Sequence, residues 1–239
     1  MQTTHLSLRG AVRAPLTFAV VSDLHDEVSD ELLSAVRESS PDFILMPGDT
    51  TNGRFAESKD TLAFLEHCAA IAPLILSRGN HEREVRKEDV RALVSLGAHW
   101  LDDTFFTCKG IAFCGLSSGF RAGKQSSRMR TPPPKIEVIE AFSRLPGYKV
   151  LLSHHPEYYD PYIRGCAIDL TLSGHAHGGQ WRVFGRGLFA PGQGILPRYT
   201  SGICSDGRLV VSRGLGNCVP IPRLLNAPEF LVLHIAPDS

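Results

Sequence analysis

Five places in the chain carry side chains that can hold metal ions or move protons: Asp23 and His25, Asp49, Asn80 and His81, His154, and His175 and His177. Each follows a short apolar run, so each stands where open α/β sheets gather their ligands, beyond the carboxyl ends of strands. The mixture of imidazole, carboxylate and amide oxygen suits manganese, iron or zinc better than magnesium or calcium, which favour oxygen shells. There are too many donors for one ion. Two divalent ions roughly 3.5–4 Å apart, bridged by one carboxylate, are the arrangement that clamps the attacking and leaving oxygens of phosphoryl transfer. Asp49 is the natural bridge, because its two oxygens can bind two cations at once.

The spacing within each group supports the same chemistry. In Asp23-Leu24-His25, residues two apart in an extended segment point to one side, and the same reasoning brings His175 and His177 together across the small Ala176. Asn80 adds a neutral carbonyl oxygen, which limits negative charge around the ions and keeps them electrophilic.

The elements that must position these groups alternate. Residues 16–22 form a first strand, 30–37 a helix capped by Ser29, and 42–46 the strand that ends at Gly48-Asp49. A helix over 57–70, a strand over 73–77 and a helix over 88–96 continue the pattern, which predicts a parallel sheet. The pattern then changes to a hairpin over 105–114 around Lys109-Gly110, followed by a Gly-, Ser-, Arg- and Pro-rich surface loop over 117–134. A helix over 136–145, strands over 149–153 and 168–173, and tail strands over 208–212 and 230–234 complete the chain, with a short strand at the N-terminus. No linker or repeat divides it, so residues 1–239 read as one domain.

Composition narrows the function. Lys+Arg and Asp+Glu are equal at 25 each, which removes a global basic field for nucleic acid. No apolar run reaches the roughly 18 residues of a membrane span, and the first residues contain no signal-peptide core. The six cysteines, Cys68, Cys108, Cys114, Cys166, Cys204 and Cys218, form no C-x-x-C pair and read as reduced, mostly buried thiols of a cytoplasmic protein.

Taken in order, Asp23-Leu24-His25, Gly48-Asp49, Gly79-Asn80-His81-Glu82, His154 and Gly174-His175-Ala176-His177 resemble the successive signatures of the calcineurin-like metallophosphoesterases. The resemblance implies a two-sheet α/β sandwich flanked by helices. It also implies that Asp23, His25 and His177 hold one metal and Asn80, His154 and His175 the other, with Asp49 bridging. His81 would be the acid that protonates the leaving oxygen after attack by a metal-bridging hydroxide. Gly178-Gly179-Gln180, Ser212-Arg213-Gly214-Leu215-Gly216 and Pro222-Arg223-Leu224 are similar to a bacterial branch with envelope phosphodiesterases and a UDP-diacylglucosamine pyrophosphatase. The implied reaction is hydrolysis of a phosphodiester or pyrophosphate, small or lipid-linked, with two divalent ions, manganese before iron or zinc. Alternatives are a noncatalytic metal-binding scaffold that docks a protein, and a lipid or sugar-nucleotide pyrophosphatase associated peripherally with a membrane. Nothing in the sequence specifies an oligomer.

Several neighbours of these motifs have ordinary explanations. His155 should point away from His154, toward a supporting or surface position. Arg54 and Arg78 could bind a phosphate oxygen but read first as ion-pair partners. Arg121, Lys124, Arg128 and Arg130 read as a solvated face. Phe189, Ile195, Leu196, Val219, Ile221, Leu224 and Leu225 could line an apolar groove, with the core the expected home for most of them.

Overall fold

The computed structural model describes residues 1–120 and 131–238, so Arg121, Lys124, Arg128 and Arg130 lie outside the described residues. The chain begins with β1 (Gln2–Gly10) and β2 (Leu16–Val20), then α1 (Asp30–Glu38), β3 (Phe43–Met46), α2 (Lys59–Ile71), β4 (Leu74–Ser77), α3 (Lys87–Ser95) and β5 (His99–Leu101). A hairpin of β6 (Thr104–Cys108) and β7 (Ile111–Leu116) leads to α4 (Ile136–Ser143), β8 (Tyr148–Ser153) and β9 (Leu170–Ser173). The two-residue strands β10 (Arg182–Val183), β11 (Arg186–Gly187), β12 (Phe189–Ala190) and β13 (Gly194–Ile195) form two small hairpins. β14 (Gly202–Cys204), β15 (Leu209–Val211) and β16 (Glu229–Pro237) close the chain.

Two six-stranded sheets result, in the orders β1-β16-β2-β3-β4-β5 and β14-β15-β9-β8-β7-β6. In the first, β2 to β5 run parallel and β16 is antiparallel to β2. In the second, β7, β8, β9 and β15 run parallel, with antiparallel partners at both edges. The expected parallel sheet is therefore two mixed sheets, and the α/β sandwich expectation holds.

Period-two alternation explains why the strands read as unbroken apolar runs. Phe18, Val20, Phe43 and Leu45 face the second sheet and meet Phe113, Val150, Leu152 and Leu172 in a shared core. Ala19, Val21, Ile44 and Met46 face the opposite way, against Leu32, Val36, Leu65 and Leu93 of the helices. A strand covered on both faces has no polar side to show. Ser29 caps α1 as its sequence predicts, its hydroxyl accepting from the Leu32 amide at 3.2 Å.

β1 is longer than local patterning predicts. It pairs in parallel with β16 from the far end of the chain, His5 opposite Val232. The stretch Pro156–Ile163, which the sequence left unassigned, forms two short helical turns that pack Tyr158, Tyr159 and Ile163 outside the second sheet. The consequence for the site is simple. β2, β3 and β4 of one sheet and β8 and β9 of the other end on the same rim of the sandwich.

Candidate metal centre

The backbone at that rim is not extended. Asp23, His25, Asp49, His175 and His177 have φ of +50°, +51°, +53°, +63° and +45°, all in the left-handed region. This corrects the argument from extended i, i+2 geometry: the pairs converge because the chain curls as it leaves each strand. Left-handed backbone costs a non-glycine residue on the order of 1–2 kcal/mol, and such strain concentrates at functional sites. Glycine makes the close approach possible. A side chain at Gly79 would collide with the Asp49 carboxylate, and one at Gly174 with Asp23 and Ser22.

Asp49 is buried at the centre. Its Oδ1 accepts from the His81 amide at 2.8 Å, and its Oδ2 lies 3.1 Å from His154 Nε2 without an aligned hydrogen bond. His154 Nδ1 is 3.0 Å from the Pro47 carbonyl, which can only accept, so that nitrogen carries a proton. In the neutral ring His154 Nε2 is then a lone pair facing two more acceptors, Asp49 Oδ2 and Asn80 Oδ1, the latter also at 3.1 Å. Three acceptors with no proton among them call for either a proton on His154 or a metal ion between them. Donor atoms of Asp49, His154 and His175 lie within 4.8 Å of one another, so the residues present fit a divalent metal.

A second group adjoins the first. His25 Nδ1 donates to Asn52 Oδ1 at 2.8 Å while the Asn52 amide returns a bond to the His25 carbonyl. That fixes the tautomer and leaves the buried His25 Nε2 without a partner, 3.8 Å from Asp49 Oδ2. His177 Nε2 lies 3.5 Å from Asp23 Oδ1. Its Nδ1 faces Arg223 Nη2 at 3.0 Å, and a guanidinium can only donate, so the neutral ring carries its proton on Nε2; binding a metal through Nε2 would require that proton to move to Nδ1 and Arg223 to turn aside. Asp23 is held by Ser22 Oγ at 2.6 Å and the His175 amide at 2.9 Å. The ligand atoms of His25, His177 and Cys218 also cluster within 4.8 Å, as do those of His25, Asp49 and His81.

The electrostatics report a place that wants positive charge. Burial raises the Asp49 pKa, but His154 and then His81 and His25 outweigh it and hold the carboxylate well below its usual range. Burial lowers His154, yet Asp49 and Asp23 pull it up to about 9. His25 is likewise lowered by burial and raised more strongly by Cys218, Asp49 and Asp23, to about 10. In the protein without metal, protons take the place of cations.

All eight residues expected from the sequence are thus at one rim, with Asn80 and His81 half-buried and the rest buried. Four more residues support the site. Glu82 is fully buried and accepts from the amides of Asp49, Thr50, Thr51 and Gly79 at 3.1, 2.6, 3.1 and 2.7 Å, so one carboxylate shapes the loop that carries Asp49. Asn52, Arg223 and Cys218 are the others; Glu82 stood inside a recognised motif, but nothing local signalled its partners.

His155 is fully buried, which excludes a surface position; its ring stacks edge-on against His175 at 4.3 Å and lies 3.4 Å from Glu157. Arg54 pairs with Asp89, and Arg78 donates to Asp102 at 2.6 Å and to the Glu82 carbonyl at 2.7 Å, as ion-pair readings predict. Only Cys68 and Cys114 are buried, and Cys218 is exposed, so the expectation of mostly buried thiols fails. The core assignment of the late apolar residues fails too: Phe189, Ile195, Leu196, Val219, Ile221, Leu224 and Leu225 are all exposed. Phe189, Val219 and Ile221 instead line a cavity of about 180 Å³ whose other wall is Asp49, Asn80, His81, His175 and His177.

A family model described as calcineurin-like phosphoesterase matches residues 16–179. The chain is similar to the Escherichia coli K12 protein named phosphodiesterase YaeI, with 30% identity covering 93% of this chain and 83% of that one. It is also similar to YpbG of Bacillus subtilis 168, with 27% identity over 93% and 82%. Among solved structures, sulfate thiohydrolase SoxB of Thermus thermophilus in complex with glycerol aligns at 16% identity and a TM-score of 0.46, over 67% of this chain and 48% of that one.

Proposed function

Because this chain belongs to the calcineurin-like phosphoesterase family and is a metal-dependent phosphoester hydrolase, we propose that it works with two divalent ions and cleaves phosphodiesters or pyrophosphates. Asp49 carries the reading: it is a buried carboxylate with one oxygen 3.1 Å from His154 Nε2 and 3.8 Å from the unpartnered His25 Nε2. Asp23, His25 and His177 would hold one ion, Asn80, His154 and His175 the other, and Asp49 both. When bound, such a pair supplies Lewis acidity that neutralises phosphoryl oxygens and makes water nucleophilic at neutral pH.

The chain's own residues supply the rest. Pro47 and Asn52 hold Nδ1 of His154 and His25, so each ring turns its Nε2 into the site, where a metal would displace the proton and take the lone pair. His81 is tethered by its amide to Asp49, and its half-exposed ring lines the cavity. It is the group placed to give a proton to the leaving oxygen. The test is hydrolysis of bis-p-nitrophenyl phosphate beside p-nitrophenyl phosphate, before and after chelation and manganese restoration. Restorable turnover favouring the diester is expected; absence of chelator-sensitive turnover on either ester would contradict the proposal.

A second, narrower reading concerns the substrate. Phe184 is 101% exposed, Ile195 82%, Leu225 79% and Leu196 72%; Ile195 pairs with Phe189 across a hairpin, and Phe189, Trp181 and Ile221 line an apolar pocket beside the cavity. Full burial of one such side chain is worth roughly 1.5–3 kcal/mol, so several large exposed apolar side chains in this tail segment point to a surface that meets something apolar. Arg186 and Arg182 flank Phe184 on its own hairpin. This apolar rim supports a lipid-linked phosphoester taken from a membrane surface. Co-sedimentation with phosphatidylglycerol vesicles is expected, and a protein that stays in the supernatant would remove this reading.

A further inference from the structure

Cys218 stands at the mouth of the cavity, beside the donor atoms of His25 and His177. Its position is enforced. The Leu215 amide donates to the Ser22 carbonyl at 3.1 Å and the Gly216 amide to the Asp23 carbonyl at 2.7 Å, which straps this segment onto the loop carrying Asp23 and His25. Gly216 also lies so close to Leu24 and His25 that a side chain there would clash. One residue on, the Asn217 amide donates to Glu27 at 3.0 Å, and Asn217 Oδ1 accepts from Gln180 at 3.1 Å. These bonds fix the chain up to Asn217, the residue directly before Cys218.

The independent pointer to a ligand is His25. Its Nδ1 is committed to Asn52, and its Nε2 is buried without a partner, within 4.8 Å of the thiol. Around one tetrahedral zinc, donor atoms stand about 3.5 Å apart, given bond lengths of roughly 2.0–2.3 Å. The cluster therefore needs only a small side-chain adjustment to close on an ion.

We infer that Cys218 supplies a thiolate to the ion held by Asp23, His25 and His177, so that this position selects zinc over manganese while the Asp49, His154 and His175 position has only nitrogen and oxygen donors. The inference rests on the two-ion reading above. The chemistry is that of ligand softness: thiolate favours zinc, and manganese prefers oxygen. On binding, the thiol releases its proton to solvent and the sulfur lone pair forms the metal bond. The two positions then differ in kind, one with a soft sulfur donor and the other with only nitrogen and oxygen donors, while both reach the same cavity.

Cobalt(II) reports this directly, because a thiolate ligand gives an intense near-ultraviolet charge-transfer band that nitrogen and oxygen ligands do not. The full chain, stripped with chelator, reloaded with cobalt and counted by elemental analysis, is expected to bind cobalt and show the band. Cys218→Ser should lose the band while still binding cobalt, and its preference for zinc over manganese should fall about tenfold or more. Bound cobalt without the band in the unmodified chain, or a band that survives in Cys218→Ser, would overturn the inference while leaving the two-ion reading intact. No cobalt bound in the unmodified chain would overturn both.

Discussion

The floor and the rim of the cavity are built by opposite rules. On the floor, Asp23, Asp49, Glu82 and His154 are buried, and nearly every polar atom has an assigned partner except those turned inward. On the rim, Trp181, Phe184, Phe189, Ile221 and Leu225 are large, apolar and exposed, carried on two-residue strands and turns. The floor spends strain and desolvation to hold charge still; the rim leaves apolar surface in water. A site made this way separates chemistry from selection: changes to the floor should alter metal and turnover, and changes to the rim should alter what reaches the floor.

The largest test of that division is Asp49→Ala. It should remove both metal and turnover, because the two halves of the floor share this carboxylate; a variant that keeps metal and activity would break the bridging assignment. His81→Ala should lower turnover by about 10²–10⁴-fold with metal content unchanged. Metal lost alongside turnover would instead move His81 among the ligands.

Glu82→Ala leaves four buried amides without their acceptor, at a cost of roughly 3 kcal/mol or more, which is about 6–12 °C in Tm for a chain of this size. Thermal denaturation measures it; an unchanged Tm would show that the loop holds its shape without the carboxylate.

The protein without metal should also titrate in a definite direction. His25 and His154 are raised from 6.5 to about 10 and about 9, so their contribution is complete below the unfolded value and lost as pH rises through the folded values. Tm of the chelated protein should therefore fall from about pH 6.5 to about 10, and less so when metal replaces the protons. A chelated protein whose Tm is flat across that window would contradict the charge balance described for the floor.

The smallest effect on the fold belongs to the rim. Phe184→Asp should shift stability by no more than about 0.5 kcal/mol and leave metal content alone, while vesicle co-sedimentation falls. Metal loss in this variant would mean that floor and rim are not separable.

The same contrast explains what the sequence disclosed. Floor residues were legible because each stands at the end of an apolar run, where Leu45-Met46-Pro47-Gly48-Asp49 both predicts a strand and shows its carboxylate. The apolar runs 16–22 and 149–153 read as buried strands, while the two-sheet arrangement came only from the family resemblance. The partners of the floor were not legible, since Asn52 meets His25, and Arg223 meets His177, only after loops distant in sequence fold together. Nor was the left-handed backbone at Asp23 and His175, which accompanies the close approach of Gly174 to Asp23. On the rim, Phe189 and Leu225 sit among glycine and proline, where no periodicity tells core from surface, and the expectation of burial was wrong for that reason.

The measurement that bears most directly on the paired centre is metal content per chain by elemental analysis after loading the stripped protein with zinc and manganese together and removing excess. Two ions per chain are predicted, because Asp49 joins two ligand groups; one ion or none per chain would contradict the paired metal centre.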